Sequence, residues 1–182
     1  MSIARFARRF SRQTLRPIEL PIADSGHVLV FDKSAVKSML RYRQTNRNAL
    51  EAGGQLFARF DSGRIMIMEA TGPRRGDIRT RTSFVPNRAS EQREIEAKYR
   101  RGLHYIGDWH THPEPAPRPS YRDCESIKDC FGKSRHRLNA FVLAVVGTSD
   151  PPEGLHVSLH DGGEPIILLG KMSFSPKAPS RV

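Results

Sequence analysis

Cysteine and long apolar runs are scarce in this chain of 182 residues. Its only cysteines, Cys124 and Cys130, lie six residues apart in a predicted helix, so their thiols point in different directions and no disulfide is expected. The longest apolar run, residues 140–147, has the length of a strand, whereas a membrane-spanning helix needs about 18 apolar residues. The N-terminus also lacks the long apolar core of a secretory signal. These absences favour a cytoplasmic protein that does not span a membrane.

Acidic residues are outnumbered, and the excess of positive charge is unevenly distributed. Lys and Arg number 30 against 19 Asp and Glu, a formal net charge of +11 at pH 7. Residues 1–16 hold five arginines and no acid, with Ile3, Phe6 and Phe10 at near-helical spacing. This segment fits a mitochondrial-type presequence, a nucleic-acid-binding arm, a docking helix for an acidic partner, or a frayed basic tail. Nucleic acid is not the expected partner of the rest of the chain, because no zinc knuckle, KH loop or RRM aromatic motif accompanies its charge.

The hydrophobic pattern predicts one domain of mixed strands and helices over residues 27–170. A basic tail and linker (residues 1–26) precede it, and a C-terminal tail (residues 171–182) follows it. The predicted strands are residues 27–32, 53–60, 64–72, 103–112, 140–148, 155–161 and 165–170, and the predicted helices are residues 33–45, 90–101 and 120–133. Ser90 and Ser120 are the predicted N-caps of the last two helices. Because strands and helices do not strictly alternate, we predict an α/β or α+β fold with a central sheet flanked by helices.

Two histidines and an aspartate stand at the ends of a proline-rich stretch, GDWHTHPEPAPRPSYRD, residues 107–123. His110 and His112 are two residues apart at the end of a predicted strand, so both imidazoles leave the same face. Asp123 lies in the first turn of the next helix, where its carboxylate can approach the strand end. The prolines restrict φ and reduce the entropy lost when the loop brings Asp123 to the histidines. Two imidazoles and one carboxylate suit a catalytic zinc ion, with a fourth position left for water.

The complete pattern supports this prediction better than any single residue does. A lone histidine is more often structural, and an aspartate near a helix N-terminus commonly just favours the helix dipole. Here H-x-H is followed by seven residues and S-x-x-D, and E-x-G-G begins at Glu51 upstream. Glu51 alone would be a surface acid before a turn, but the two glycines after it indicate a close approach of the backbone.

The segments EAGGQLFARF and HYIGDWHTHPEPAPRPSYRD resemble the JAMM/MPN metalloprotease family. Its signature joins a glutamate to H-x-H-P and S-x-x-D, and the matching residues here are Glu51, His110, His112, Pro113, Ser120 and Asp123. The resemblance covers roughly residues 27–170 and implies a curved mixed sheet with helices on its faces, layered as in cytidine deaminases. Residues 105–123, together with residues 70–84 upstream, look closer still to bacterial members encoded in CBASS antiphage operons and in related ubiquitin-like conjugation operons.

The resemblance also implies a cofactor, residue roles and partners. One Zn²⁺ ion would be held by His110, His112 and Asp123. Glu51 would be the general base and then the acid, and Ser120 would donate a hydrogen bond to the developing oxyanion. The implied substrate is a ubiquitin-like modifier or its conjugate, alongside an E1/E2-like protein and a nucleotide cyclase as the conjugation target. Two alternatives stay open: a JAMM peptidase that processes a sulfur-carrier protein, and a basic nucleic-acid-binding scaffold.

Four arginines are concentrated in residues 72–84, which have no apolar period and are predicted to form a loop. They are Arg74, Arg75, Arg79 and Arg81. We predict that this loop is flexible and that its arginines contact an acidic surface of the substrate. The alternative is a solvated loop without a function.

Overall fold

The computed structural model describes residues 16–23 and 25–170. Within them the strands are β1 (Ile18–Ile22), β2 (His27–Phe31), β3 (Gly53–Asp61), β4 (Arg64–Ala70), β5 (Ile78–Arg79), β6 (Phe84–Val85), β7 (His104–Thr111), β8 (Phe141–Val146), β9 (Leu155–His160) and β10 (Ile166–Leu168). The helices are α1 (Lys33–Leu40), α2 (Arg88–Tyr99) and α3 (Tyr121–Lys133). None of the helices in these residues has the length and apolar content needed to cross a bilayer.

Eight of these strands form one mixed, curved sheet in the order β1-β2-β4-β3-β7-β8-β9-β10. The pairs β2/β4 and β7/β8 are parallel, and the other neighbours are antiparallel. The curvature brings the two edges together, since a Cβ on Gly170 would lie 3.3 Å from the side chain of Leu20. The short strands β5 and β6 form a separate antiparallel hairpin. The predicted fold class is confirmed.

Helices cover both faces of the sheet because consecutive strand residues point to opposite sides. On one face Val36 and Met39 of α1 pack into a cluster with Trp109. On the other face Ile127 of α3 packs against Phe141. Strand β8, from the longest apolar run in the sequence, is buried along its entire length because both of its faces are covered.

Each helix begins at a side chain that accepts a hydrogen bond from a free backbone N–H in the first turn. Asp32 caps α1, Asn87 caps α2 and Ser120 caps α3. The prediction of Ser120 as a cap is therefore confirmed. The prediction of Ser90 is wrong, because Asn87 accepts a hydrogen bond from the Ser90 N–H and starts α2 earlier.

Three further predictions differ from the structure. Residues 18–22 fall in the predicted linker, but they form β1, because Ile18 and Leu20 are buried beside β2. The helix predicted to reach residue 45 ends at Leu40, after which Tyr42 packs on Trp109 instead. The predicted loop at residues 72–84 contains β5 and the first residue of β6. The basic residues 1–15 and the tail 171–182 lie outside the described residues.

Candidate metal centre

The two imidazoles project from the end of β7. A neighbouring strand pairs with β7 along each edge, and Trp109 anchors the face opposite the imidazoles. His110 lies opposite Gly53 of β3, and β8 pairs along the other edge. Trp109, the residue before His110, is 1% exposed, and its indole N–H donates to the Thr71 carbonyl at 2.8 Å. Trp109 is therefore a core residue, and its packing fixes the position of the strand. As a result, Nε2 of His110 and Nε2 of His112 lie 3.1 Å apart.

Asp123 approaches the imidazoles from the first turn of α3. Its Oδ2 lies 3.3 Å from Nε2 of His110 and 3.4 Å from Nε2 of His112. The backbone N–H and the hydroxyl of Ser120 both donate to this oxygen at 2.7 Å, while the Asp123 N–H donates to the Ser120 hydroxyl. Burial alone would raise the pKa of Asp123, but hydrogen bonds from both imidazoles and Ser120 hold that pKa well below its ordinary value. The carboxylate is therefore charged and held in one orientation.

The spacing of these three ligand atoms fits a tetrahedral metal ion. Zinc bonds of about 2.0–2.1 Å place neighbouring tetrahedral ligand atoms roughly 3.3–3.4 Å apart. The three separations among His110, His112 and Asp123 are 3.1, 3.3 and 3.4 Å. Outside this triangle, Oε2 of Glu114 lies 3.3 Å from Nδ1 of His112 and can orient that ring, as carboxylates often do around metal-bound histidines. These three atoms therefore have the spacing that ligands of one tetrahedral metal ion would have.

Glu51 is a second carboxylate close to the same imidazoles. It is 8% exposed, and a carboxylate oxygen lies within 4.8 Å of a ring nitrogen of both His110 and His112. Burial raises the pKa of Glu51, although both imidazoles favour its charged form. Glu51, His110 and His112 could thus also hold a metal ion, but the Asp123 oxygen lies closer to both imidazoles than the Glu51 carboxylate does.

The two glycines after Glu51 permit the close backbone approach that the sequence predicts. A Cβ on Gly53 would lie 2.6 Å from the Phe84 ring, and one on Gly54 would lie 2.0 Å from the Thr71 carbonyl oxygen. Any side chain at either position would displace a strand or the hairpin.

The proline-rich loop between His112 and Ser120 is anchored to the end of β8. The His112 N–H donates to the Val146 carbonyl, and the Thr148 N–H donates to the Glu114 carbonyl, both at 2.9 Å. A Cβ on Gly147 would lie 2.4 Å from the Glu114 carbonyl oxygen, so only glycine allows this contact. The loop thus has one path from the histidines to the helix that carries Asp123.

The structure gives internal partners to three of the four arginines predicted to contact substrate. Arg79 donates to the carbonyls of Leu50 and Glu51, and Arg81 donates to the Arg47 carbonyl. Arg75 is exposed, and it alone of the four has no side-chain partner among the described residues. The segment predicted to be a flexible loop is therefore held by internal hydrogen bonds. The local sequence pattern gives no indication of these partners, because they are distant along the chain.

Arg74 is the most firmly held of the four. Its side chain is 14% exposed, and its guanidinium bonds to Glu94 of α2 at 2.7 Å and to Gln55 of β3 at 2.9 Å, with the buried Glu91 at 3.7 Å. Arg74 therefore links α2 to the sheet, and its positive charge compensates the negative charges of Glu91 and Glu94.

Replacement of Arg74 is expected to destabilise the fold, whereas replacement of its neighbour is not. Arg74→Met should lower the free energy of unfolding by about 2 kcal/mol, because it removes the charge-assisted hydrogen bonds to Glu94 and Gln55, although Arg88 remains bonded to Glu91 at 2.9 Å. Arg75→Met is the matched control and should change stability by about 0.5 kcal/mol or less. Urea unfolding measures both. Equal stability of the two variants would contradict the anchoring role.

Polar residues that the sequence did not single out share the cleft with the metal ligands. The cleft has a volume of about 460 Å³, and Asp108, Glu91 and Arg88 line it. Asp108 is two residues before His110 and thus on the same face of β7, which strand periodicity would have revealed. Burial, with the nearby Glu91 carboxylate, raises the pKa of Asp108 to about 7 despite a hydrogen bond from Tyr105. Arg88 and Glu91 also line an adjoining groove of about 1330 Å³ between α2 and α3.

Residues 33–159 match the family model described as prokaryotic homologs of the JAB domain. This span contains every residue of the candidate metal centre. The chain belongs to the prokaryotic JAB-domain family. Family membership identifies the protein as a peptidase, a hydrolase in which a metal ion is expected.

Individual relatives agree with the family. The chain is 32% identical over 137 residues to "CD-NTase/cGAS isopeptidase" of Vibrio cholerae serotype O1, covering 73% of this chain and 85% of that protein. It is 36% identical over 101 residues to "Probable metalloprotease y4qB" of Sinorhizobium fredii, covering 53% of this chain and 61% of that protein. The solution structure of protein DSY2949 from Desulfitobacterium hafniense has a TM-score of 0.55 at 18% identity, covering 75% and 87% of the two chains. This structural likeness concerns the fold alone.

Proposed function

We propose that this protein is a zinc-dependent isopeptidase that cleaves a ubiquitin-like modifier from its conjugate. The observation that carries the proposal is the triangle of His110, His112 and Asp123 at tetrahedral ligand spacing, with the Glu51 carboxylate beside it. A nucleic-acid scaffold would not need this ligand set. When bound in a three-ligand site of this kind, zinc supplies a Lewis acid and a water of lowered pKa.

The side chains around the ligands carry the proton and charge transfers in this proposal. Glu51 takes the proton from the attacking water and passes it to the leaving amine. Its burial raises its pKa, which brings its basicity closer to that required near neutral pH. Ser120, exposed at the start of α3, turns its hydroxyl from Asp123 and donates a hydrogen bond to the oxyanion that develops on the scissile carbonyl. Arg75, exposed beside the hairpin, remains a proposed contact for an acidic substrate surface.

The name of the Vibrio cholerae relative supports a conjugate that involves a CD-NTase. We therefore propose a bacterial antiphage conjugation system, in which an E1/E2-like protein joins the modifier to a nucleotide cyclase. The groove between α2 and α3 adjoins the cleft, and its size of about 1330 Å³ accommodates side chains of a protein substrate beyond the scissile bond.

Cleavage by the purified, zinc-loaded chain tests this function directly. The substrates are a CD-NTase joined through a lysine to a ubiquitin-like modifier and, as an alternative, a sulfur-carrier protein with a C-terminal extension. We expect mass spectrometry to show release of the unmodified lysine and of the modifier with a free carboxylate, and a chelator should abolish this release. Failure to cleave the conjugate would contradict the proposal. Cleavage of the sulfur-carrier protein alone would show that the sulfur carrier, and not the conjugate, is the substrate.

Ser120→Ala distinguishes an oxyanion donor from a helix cap. Loss of the cap should cost about 1 kcal/mol of stability, whereas loss of an oxyanion donor should lower kcat by roughly 10²–10³-fold. Asp32→Ala is the matched control, because Asp32 caps α1 on the opposite face and should affect only stability. Urea unfolding and kcat are measured on both variants. A wild-type kcat in Ser120→Ala would restrict Ser120 to the cap.

A further inference from the structure

The backbone of Glu51 lies outside the main sheet, and the β5–β6 hairpin holds it. The Glu51 N–H donates to the Thr80 carbonyl at 2.8 Å. In the other direction, Nε of Arg79 donates to the Glu51 carbonyl at 2.7 Å, and Nη2 donates to the Leu50 carbonyl at 3.2 Å. One guanidinium therefore spans two consecutive carbonyls, which its planar, fixed donor geometry permits.

The residue after Glu51 is held from the other side, by the strand that carries the histidines. The Ala52 N–H donates to the Thr111 hydroxyl at 3.0 Å, and the Thr111 N–H donates to the Ala52 carbonyl at 2.8 Å. The Thr111 hydroxyl in turn donates to the side chain of Gln44, whose amide donates to the Arg81 carbonyl beyond the hairpin strand. Gln44 and Thr111 are both buried, so this frame between β7 and the hairpin is shielded from water.

We propose that Arg79 is a positioning residue for Glu51, which it holds at the metal centre through the carbonyls of Leu50 and Glu51. The inference rests on the proposed function, because it assigns Arg79 a role only if Glu51 transfers the proton. Without Arg79, the carbonyl side of Glu51 is released while its N–H remains bonded to Thr80. The Glu51 carboxylate can then shift relative to His110 and His112, which β7 holds independently.

Kinetics of Arg79 variants test this role in the full, zinc-loaded chain with a modifier conjugate as substrate. Misplacement of a catalytic group by about 1 Å costs on the order of 10²-fold in rate. We therefore expect Arg79→Met to lower kcat by roughly 10–100-fold, with KM and zinc content close to wild type. Arg79→Lys keeps the charge but replaces the planar guanidinium fork with a single ammonium, and it should restore part of kcat. Arg64→Met is the matched arginine control, since Arg64 pairs with Glu19 of β1 away from the metal centre and should leave kcat unchanged.

A double-mutant cycle separates positioning from a general structural effect. If Arg79 acts through Glu51, Arg79→Met should lower the rate little further in a Glu51→Gln background, because the group that it positions is already inactive. A multiplicative loss in the double variant, or a wild-type kcat in Arg79→Met, would overturn the inference. If Arg79→Met does not fold, the cycle is measured with Arg79→Lys in its place. A multiplicative loss in that double variant, or a wild-type kcat in Arg79→Lys, would then overturn the inference. A wild-type chain that binds no zinc or cleaves no conjugate would instead contradict the proposed function.

Discussion

Glu51→Gln is expected to give a folded, metal-loaded protein that cleaves its conjugate roughly 10²–10⁴-fold more slowly than wild type. Glutamine retains the size and much of the hydrogen bonding of glutamate but cannot accept the proton of the attacking water. Since the distances favour Asp123 as the third ligand, zinc should remain at about one ion per chain in this variant. Single-turnover cleavage and elemental analysis measure the two quantities.

A stalled complex is the useful consequence of this variant. Because binding groups remain intact, Glu51→Gln should retain the conjugate without releasing its parts, so a complex isolated from cells reports the modifier and its target. The matched control is Glu125→Gln, an exposed glutamate on α3 that does not line the cleft. Cleavage of a verified conjugate by Glu51→Gln at the wild-type rate would eliminate Glu51 as the base, and loss of zinc would make it a ligand instead.

His110→Ala and Asp123→Ala are expected to lose the metal together with the activity. Each removes one corner of a triangle whose atoms are separated by 3.1 to 3.4 Å, and two protein ligands hold zinc far more weakly than three. We expect about one zinc ion per chain in the wild type and less than roughly a tenth of that in either variant. Elemental analysis after dialysis measures the occupancy.

Two controls on the same elements accompany these variants. His104→Ala changes an exposed histidine at the start of β7, and Asp129→Ala removes an exposed aspartate of α3 that pairs only with Lys133 among the described residues. A surface pair of this kind contributes little to stability, so both controls should keep zinc at the wild-type occupancy. Full zinc occupancy in His110→Ala and Asp123→Ala would remove these residues from the ligand set.

The sequence is informative where short-range geometry decides the structure. The alternation of a strand puts His110 and His112 on one face, and a serine before a helix pattern predicts the cap at Ser120, which in turn places Asp123 in the first turn. These rules involve only a few residues at a time. The parts of the centre can therefore be recognised from the order of the amino acids alone.

Other features depend on partners far along the chain, for which local pattern has no signal. Arg79 bonds the carbonyl of a residue 28 positions away, and Arg74 bonds carboxylate and amide groups 20 and 19 positions away. An arginine-rich segment without apolar period is indistinguishable, in sequence, from a solvated loop. Strand β1 is also not predictable from local sequence, because it forms by pairing with β2 at the sheet edge.

The sequence by itself determined which residue types meet the needs of a metal peptidase, because ligand chemistry and its spacing along a strand and a helix turn are local properties. Only the tertiary structure decided how these residues are held. The distance from Glu51 to the imidazoles depends on a hairpin, a buried glutamine and a strand that converge from separate parts of the chain. Such convergence is set by packing of the whole fold, and no segment encodes it alone.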